Sequence, residues 1–339
     1  MTICARGESA MDRRTFVAIT GGALLGLSSN LRAQGQATTR RIGVLSQFAR
    51  ADVDVFLSLL RPELEKLGWI DGRNIVLLEP RTTNGDNARL PSVAAELVAM
   101  SPDLILVQTV PATRALMQAT KSIPIVMFAV GNPVEFGIVA NYRKPGGNVT
   151  GSSYLASEYA GKLLQLLKEA VPRLRNVAFF ANPSNETYAA FVKQLRADAA
   201  ASGMQVQIVE VTGPGDFEPA FAAIRRANTE SILLPPEGLI RSNRDAIGGF
   251  AQTHGLPLAV VGDIRALPAG GLIAYGPTRD EYPRLAARYV DRILKGAKPG
   301  DLPIEQPTRF NLVINLKTAK ALGLTIPQPL LLRADEKIE

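Results

Sequence analysis

Thiols, imidazoles and long apolar runs are what this sequence lacks. Its 339 residues hold one cysteine, one histidine and one tryptophan. Cys4 stands upstream of everything that reads as folded, which excludes disulfides, thiolate catalysis and cysteine–metal centres from the rest of the chain. His254 ends a helical pattern beside Gly255, where an imidazole stabilises its own helix terminus rather than acting as a base. Without a second imidazole or a thiol, a nucleophilic triad or a zinc site has no parts. The carboxylates form neither a close pair nor a calcium-loop spacing, so no metal and no cofactor are expected. Phosphate loops, dinucleotide glycine fingerprints, nucleophile elbows and HExxH are absent as well. The formal charge of +7 comes from scattered basic residues, with no basic run interleaved with aromatics. That pattern speaks against a nucleic-acid partner.

What is present begins with a targeting segment. Asp12-Arg-Arg-Thr-Phe16 supplies a charged region, Val17 to Leu27 an apolar one, and Leu31-Arg-Ala33 and Gly35-Gln-Ala37 offer small residues for cleavage. The apolar run falls short of the ~20 residues that span a bilayer. Arg13-Arg14-x-Phe16 resembles a twin-arginine signal but departs from it at Asp12 and Val17, which leaves an ordinary secretory signal open; Met11 is an alternative start. Residues 1–37 are therefore expected to be a signal peptide and linker. No cysteine stands at either cleavage site, so the exported product is expected to be soluble and without a lipid anchor.

Apolar content of 46% and 20% charged residues are those of a globular protein long enough for two domains. Strands are expected at Arg40–Ser46, Asn74–Glu79, Asp103–Gln108, Pro124–Ala129 and Asn148–Gly151. Helices fall between them, among them a short one after Gly131-Asn-Pro-Val134. Lys144 to Tyr154 organises the whole. Pro145, Gly146 and Gly147 break the preceding segment, Asn148–Gly151 is a short strand, and Ser152, Ser153 and Tyr154 leave it as a polar linker. The alternation then restarts, with strands at Asn176–Ala181, Gln205–Val211, Ser231–Leu234, Pro257–Val261 and Gly271–Tyr275. Gly276-Pro277 reads as a second crossing and Leu302 to Pro307 as a third. A strand at Phe310–Ile314, a final short helix and a Pro-rich tail follow.

The fold class is thus α/β: two doubly wound parallel-sheet lobes joined by a three-strand hinge. Residues 40–153 with 277–308 form the first lobe, and 154–276 with 309–339 the second.

Ligands of open parallel sheets sit outside the carboxyl ends of the strands, here at a lobe junction. On the first lobe that rule selects Gln47, Phe48, Thr109, Thr113, Asn132, Ser152, Ser153 and Tyr154. On the second it selects Asn182, Tyr188, Glu237 and Asp263. Thr109, Thr113 and Ser152 suit a carboxylate near free helix N–H groups. Glu237 or Asp263 suits an ammonium, and Phe48, Tyr154 and Tyr188 suit an apolar or aromatic portion. Capping roles for Thr113, Ser184 and Asn185 are equally open. Trp69 lies at a strand's amino end, away from this region.

Gly68-Trp-Ile-Asp-Gly-Arg-Asn-Ile75, Gly131-Asn-Pro-Val134, Pro145-Gly-Gly-Asn-Val-Thr-Gly151 and Gly270-Gly-Leu-Ile-Ala-Tyr-Gly276 resemble the substrate-binding proteins of bacterial ABC importers. Glu305-Gln-Pro-Thr-x-Phe310 and Asn315-Leu-Lys-Thr-Ala-Lys-Ala-Leu-Gly-Leu324 share the resemblance, which runs over residues 40–339. The branch is the one with tryptophan- and tyrosine-binding members. The resemblance implies a type I periplasmic binding protein fold, a non-enzymatic receptor closing on a small molecule, and delivery to a membrane permease and its ATPase. The expected ligand is an amino acid or small carboxylate, and the expected location the periplasm. A sensor partnering a membrane receptor, or an enzyme using a cleft carboxylate, are the alternatives.

Overall fold

In the computed structural model, residues 39–154, 156–262 and 266–339 are described. The leader expected at 1–37 lies outside them, as does Asp263. Strand β1 (Arg40–Ser46) carries the unbroken buried apolar run Ile42–Leu45, the signature of a parallel strand covered on both faces. It is followed by α1 (Arg50–Lys66), β2 (Ile75–Leu77), β3 (Arg81–Thr82), α2 (Leu90–Ala99), β4 (Leu104–Val107), α3 (Val110–Ala119), β5 (Ile125–Gly131) and β6 (Val149–Tyr154). These six strands form one parallel sheet, ordered β2-β1-β4-β5-β6 with β3 pairing beside the end of β1.

The alternation of side chains along each strand builds two cores. Ile42, Val44, Leu104, Leu106, Val126 and Phe128 face α1, whose Phe56, Leu57, Leu60 and Leu64 recur at helical spacing. Leu45, Ile105, Val107, Ile125 and Met127 face α2 and α3 on the other side. The helix expected after Gly131 is absent: residues 132–140 form turns in which Ile138 and Val139 both donate to Pro133 O. Pro133 and the positive φ of Asn132 and Gly137 break the period there.

The second sheet comprises β7 (Asn176–Ala181), β8 (Gln205–Glu210), β9 (Ser231–Leu234), β10 (Leu258–Val261), β11 (Ile273–Pro277), β12 (Phe310–Asn315) and β13 (Glu336–Ile338), ordered β13-β12-β11-β10-β9-β7-β8. Only β11 and β12 pair antiparallel. Helices α4 (Ala156–Ala170) and α5 (Tyr188–Ala201) cover one face; α6 (Phe217–Arg226), α7 (Gly238–Ser242) and α8 (Arg244–Thr253) cover the other. His254 ends α8, its Nδ1 2.9 Å from Phe250 O. After α9 (Glu281–Leu294) and β12 come α10 (Leu316–Ala321) and α11 (Gln328–Arg333). The Pro-rich tail adds an edge strand, since Asp335 bonds Leu312 in both directions and starts the β12–β13 pairing.

Helix α9 follows a second-sheet strand yet packs its Ala286, Tyr289, Val290 and Ile293 on the first sheet. The chain therefore passes between the sheets after β6, after β11 and before β12. These passages are bonded together: Ser153 N donates to Glu305 O (2.9 Å), Glu305 N to Gly151 O (3.1 Å) and Thr278 N to Arg309 O (3.0 Å). Ser152 and Ser153 belong to β6 and are fully buried, a correction to their reading as polar linker. The pairing with residue 305 explains it.

Glu281, wholly buried at the start of α9, ties two passages by accepting from Arg309 Nε (2.7 Å), Arg284 Nη2 (3.0 Å) and Thr308 N (3.2 Å). Burial alone would raise its pKa, but the bonds from Arg284, Arg309 and Thr308 outweigh it and hold the carboxyl below its ordinary value. A carboxyl depressed in the fold contributes stability above its unfolded pKa and withdraws it as pH falls through the folded value. Melting temperature should accordingly drop below about pH 4.5, and Glu281→Gln should lower the neutral-pH melting temperature while flattening that acid limb.

Candidate functional site

The strand orders locate the site. The first sheet reverses direction between β1 and β4, and the second between β7 and β9, so each lobe has a crevice at the carboxyl ends of those strands. The two crevices face one another across a cavity of about 310 Å3, the size of small-molecule sites. Gln47, Thr109, Asn132, Tyr154, Asn182, Tyr188 and Glu237 line it. Phe48 instead lines a smaller cavity of about 150 Å3, shared with Asp52 and Arg241, which meets the first at Thr109, Tyr154 and Pro236. The Arg241 guanidinium lies 4.7 Å above its ring. Thr113, Ser152 and Ser153 line neither cavity. Thr113 is buried in α3 and its hydroxyl donates back to Thr109 O at 2.7 Å, as a residue one turn into a helix can.

Thr109 begins α3 with φ +69°, its hydroxyl buried and unpartnered. Asn132, φ +41°, follows β5 where the β5–β6 register shifts past Ala129, φ +60°. Such backbone costs about 1–3 kcal/mol per residue and concentrates at functional sites. On the facing lobe Glu237 precedes α7 and accepts from Ile240 N (3.1 Å), while Asn182 Nδ2 donates to its other oxygen (3.1 Å). Burial pushes the Glu237 carboxyl above its ordinary range despite these bonds. Phe179 and Phe191, stacked with centroids 5.2 Å apart, form an aromatic wall with Tyr188, whose hydroxyl is bonded to Glu210.

Glu135, Phe136, Phe179, Phe191 and Gln194 were not among the expected residues. Phe179 and Phe191 read as ordinary strand and helix core, and only the lobe-to-lobe arrangement opens them to the cavity. Glu135 and Phe136 sit in the turns that replaced the expected helix.

Several bonds hold the lobes together around the cavity. Asn87 Nδ2 donates to Ser184 Oγ (3.3 Å), Ser242 Oγ to Asn84 Oδ1 (3.1 Å), and Arg244 Nη1 to Asp52 Oδ1 (3.5 Å). Arg114 Nε reaches both oxygens of Glu186 (2.9 and 2.8 Å), and its Nη2 donates to Phe136 O (2.6 Å). The backbones meet as well, for a Cβ on Gly85 would stand 2.7 Å from Leu239 Cα. The structure is therefore a closed form. Arg114 and Glu186 are each about a third exposed, so Arg114→Ala is expected to weaken ligand affinity by about three- to tenfold. Calorimetry reads that loss, with the melting temperature of ligand-free protein unchanged.

Two sheets of this order, three linking passages and a cavity between facing switch points define a two-lobed binding protein of the type I periplasmic fold. The model of the family described as ABC transporter substrate binding protein matches residues 58–338, and the chain belongs to that family. A tyrosine-binding protein of Clostridioides difficile (strain R20291) is 28% identical over 262 residues, 77% of this chain and 74% of its own. An ABC domain from Streptococcus pneumonia in complex with L-Trp superposes with a TM-score of 0.81 at 25% identity, over 89% of this chain and all of that one. A ligand-free, open substrate binding protein with adhesive properties from Clostridium difficile gives 0.63 at 24% identity, over 88% of this chain and all of that one. No helix among the described residues is long and apolar enough to cross a membrane, and no group of three or more His, Cys, Asp or Glu among them is placed to hold a metal.

Proposed function

We propose that this protein is the exported, periplasmic receptor of an ABC importer, closing its lobes on an amino acid and presenting the closed form to a membrane permease and its ATPase. It performs no bond-making. The carrying observation is the cavity itself: polar groups from both lobes at the two switch points, an aromatic wall, and inter-lobe bonds around the rim. The tyrosine and tryptophan bound by the relatives support an aromatic amino acid. The lobes are divided at 40–153 with 277–308 and 154–276 with 309–339, so ligand bridging them shifts an open–closed equilibrium.

In this reading the ligand ring lies against Phe179, Tyr188 and Phe191. The ammonium meets Glu237, and the α-carboxylate meets Thr109 and the start of α3. Thermal-shift and calorimetric screens of unfolded-and-refolded, ligand-stripped protein test the ligand class, because a binder raises the melting temperature by mass action. Aromatic amino acids are expected to respond. A response to a sugar or a polyamine and to no amino acid would overturn the assignment.

A further inference from the structure

The hydrogen bonds around the cavity run in one direction. Gln47 Nε2 donates to Asn87 Oδ1, Asn87 Nδ2 to Ser184 Oγ, Ser184 Oγ to Asn182 Oδ1 and Asn182 Nδ2 to Glu237 Oε1. The chain crosses the cleft from the first lobe to the second and ends on a carboxylate. Each amide spends one N–H on its neighbour, and at the head of the chain Gln47 Oε1 is fully buried and without a partner. The same happens at Asn132: its Nδ2 donates to Glu135 Oε2 (2.8 Å), leaving Oδ1 buried and unpartnered. An amide has two donors and one acceptor oxygen; with one N–H of Gln47 and of Asn132 engaged, their oxygens are the polar atoms left with no partner at all.

The charge of the lining agrees. Glu135 and Glu237 line the cavity, and no Lys, Arg or His is among the described residues that do. Among these lining residues a ligand carboxylate meets no cation; Arg241 and Arg279 line the adjoining smaller cavity. At the start of α3 it meets the Thr109 hydroxyl and a helix end from which Pro111, at the second helical position, has removed one N–H. The acceptors, by contrast, are two carboxylates and two orphaned amide oxygens, set against aromatic faces that also favour a cation.

We infer that the site selects its ligand by the protonated amine and treats the α-carboxylate as secondary, so that aromatic monoamines lacking a carboxylate are ligands of the same cavity. This rests on the cleft being the binding site, and it extends the ligand class beyond amino acids. The unpaired buried acceptors need N–H donors, and an alkylammonium supplies three. A deaminated acid supplies none and brings a negative charge toward Glu135 and Glu237.

The experiment is calorimetry on the ligand-stripped wild-type protein with L-tyrosine, tyramine and 3-(4-hydroxyphenyl)propanoic acid at one pH and ionic strength. Tyramine is expected to bind within about tenfold of tyrosine, and the acid about a hundredfold or more weaker than either. Tyrosine binding with tyramine lost by a hundredfold, or the acid binding as well as the amine, overturns the inference and leaves the amino-acid reading standing. Tyramine binding without any response to tyrosine overturns the amino-acid reading and supports the inference. Silence from all three overturns both. Because the ligand is varied and the protein is not, no outcome depends on a variant folding.

Discussion

Gly85→Ala should weaken ligand binding by thirty- to a hundredfold while leaving each lobe folded. Gly85 follows β3 on the first lobe and Leu239 opens α7 on the second; in the closed form an added Cβ would lie 2.7 Å from Leu239 Cα and 2.8 Å from Leu239 N. Those atoms are backbone and cannot rotate away, so the lobes must stop short of their present separation. Overpacking of this kind costs about 1–3 kcal/mol, and the cost falls on the closed state alone, because opening separates the two residues. Gly85 also has φ +89°, which a side chain adopts reluctantly in either state. Gly72→Ala isolates that strain: its φ is +82° and nothing stands within 4 Å of the added carbon. Gly72→Ala should lower the melting temperature slightly with unchanged affinity. Calorimetry on the two variants separates closure from strain.

Glu237→Gln should cost about 2 kcal/mol of binding to any ligand carrying an ammonium, roughly thirtyfold, because a desolvated charge is left without its counter-ion. The fold suffers less: glutamine keeps an oxygen for Ile240 N, so the loss of α7 capping stays within about 1 kcal/mol. The pH dependence follows from the sign of the shift. Burial raises the Glu237 carboxyl above its ordinary value, so protonation begins at a higher pH than for a surface glutamate. Affinity for an amine ligand should fall as pH drops through that raised value, in a range where an unperturbed carboxylate is still ionised. In Glu237→Gln that fall should vanish. The neutral form is favoured in the fold, so the group withdraws stability as pH rises from its unfolded pKa to its folded one. Ligand-free melting should therefore shift opposite to ligand affinity across that window, unlike the acid limb set by Glu281.

Most of the fold was legible because buried parallel strands announce themselves. β7 and β9 have the bounds expected from their apolar runs, and the second and third passages between sheets were marked by Gly276-Pro277 and the extended 302–307 stretch, whereas Pro145-Gly-Gly147 breaks the chain ahead of β6 and the first passage follows that strand. What escaped notice has local causes. β3, two residues long, and β13, three, carry too few side chains for a period. Ser152 and Ser153 look polar but pair with residue 305, a partner far along the chain that no local pattern shows. The carboxyl-end rule found seven of the cavity's residues from strand ends alone, and failed at Thr113 for want of a helix register: α3 starts at Val110, which puts Thr113 inside its first turn and buries it. The aromatic wall could not be foreseen, since Phe179 and Phe191 satisfy the core periods whether or not a cavity opens beside them.

Small-angle scattering of the ligand-stripped protein, before and after addition of the tightest ligand from the screen, tests the central claim most directly. If two rigid lobes close around a solute, the radius of gyration should shrink on saturation and the bound profile should fit the closed structure. Gly85→Ala should fail to contract under the same conditions. A profile that is unchanged by a ligand shown calorimetrically to bind, and identical in Gly85→Ala, would contradict the account.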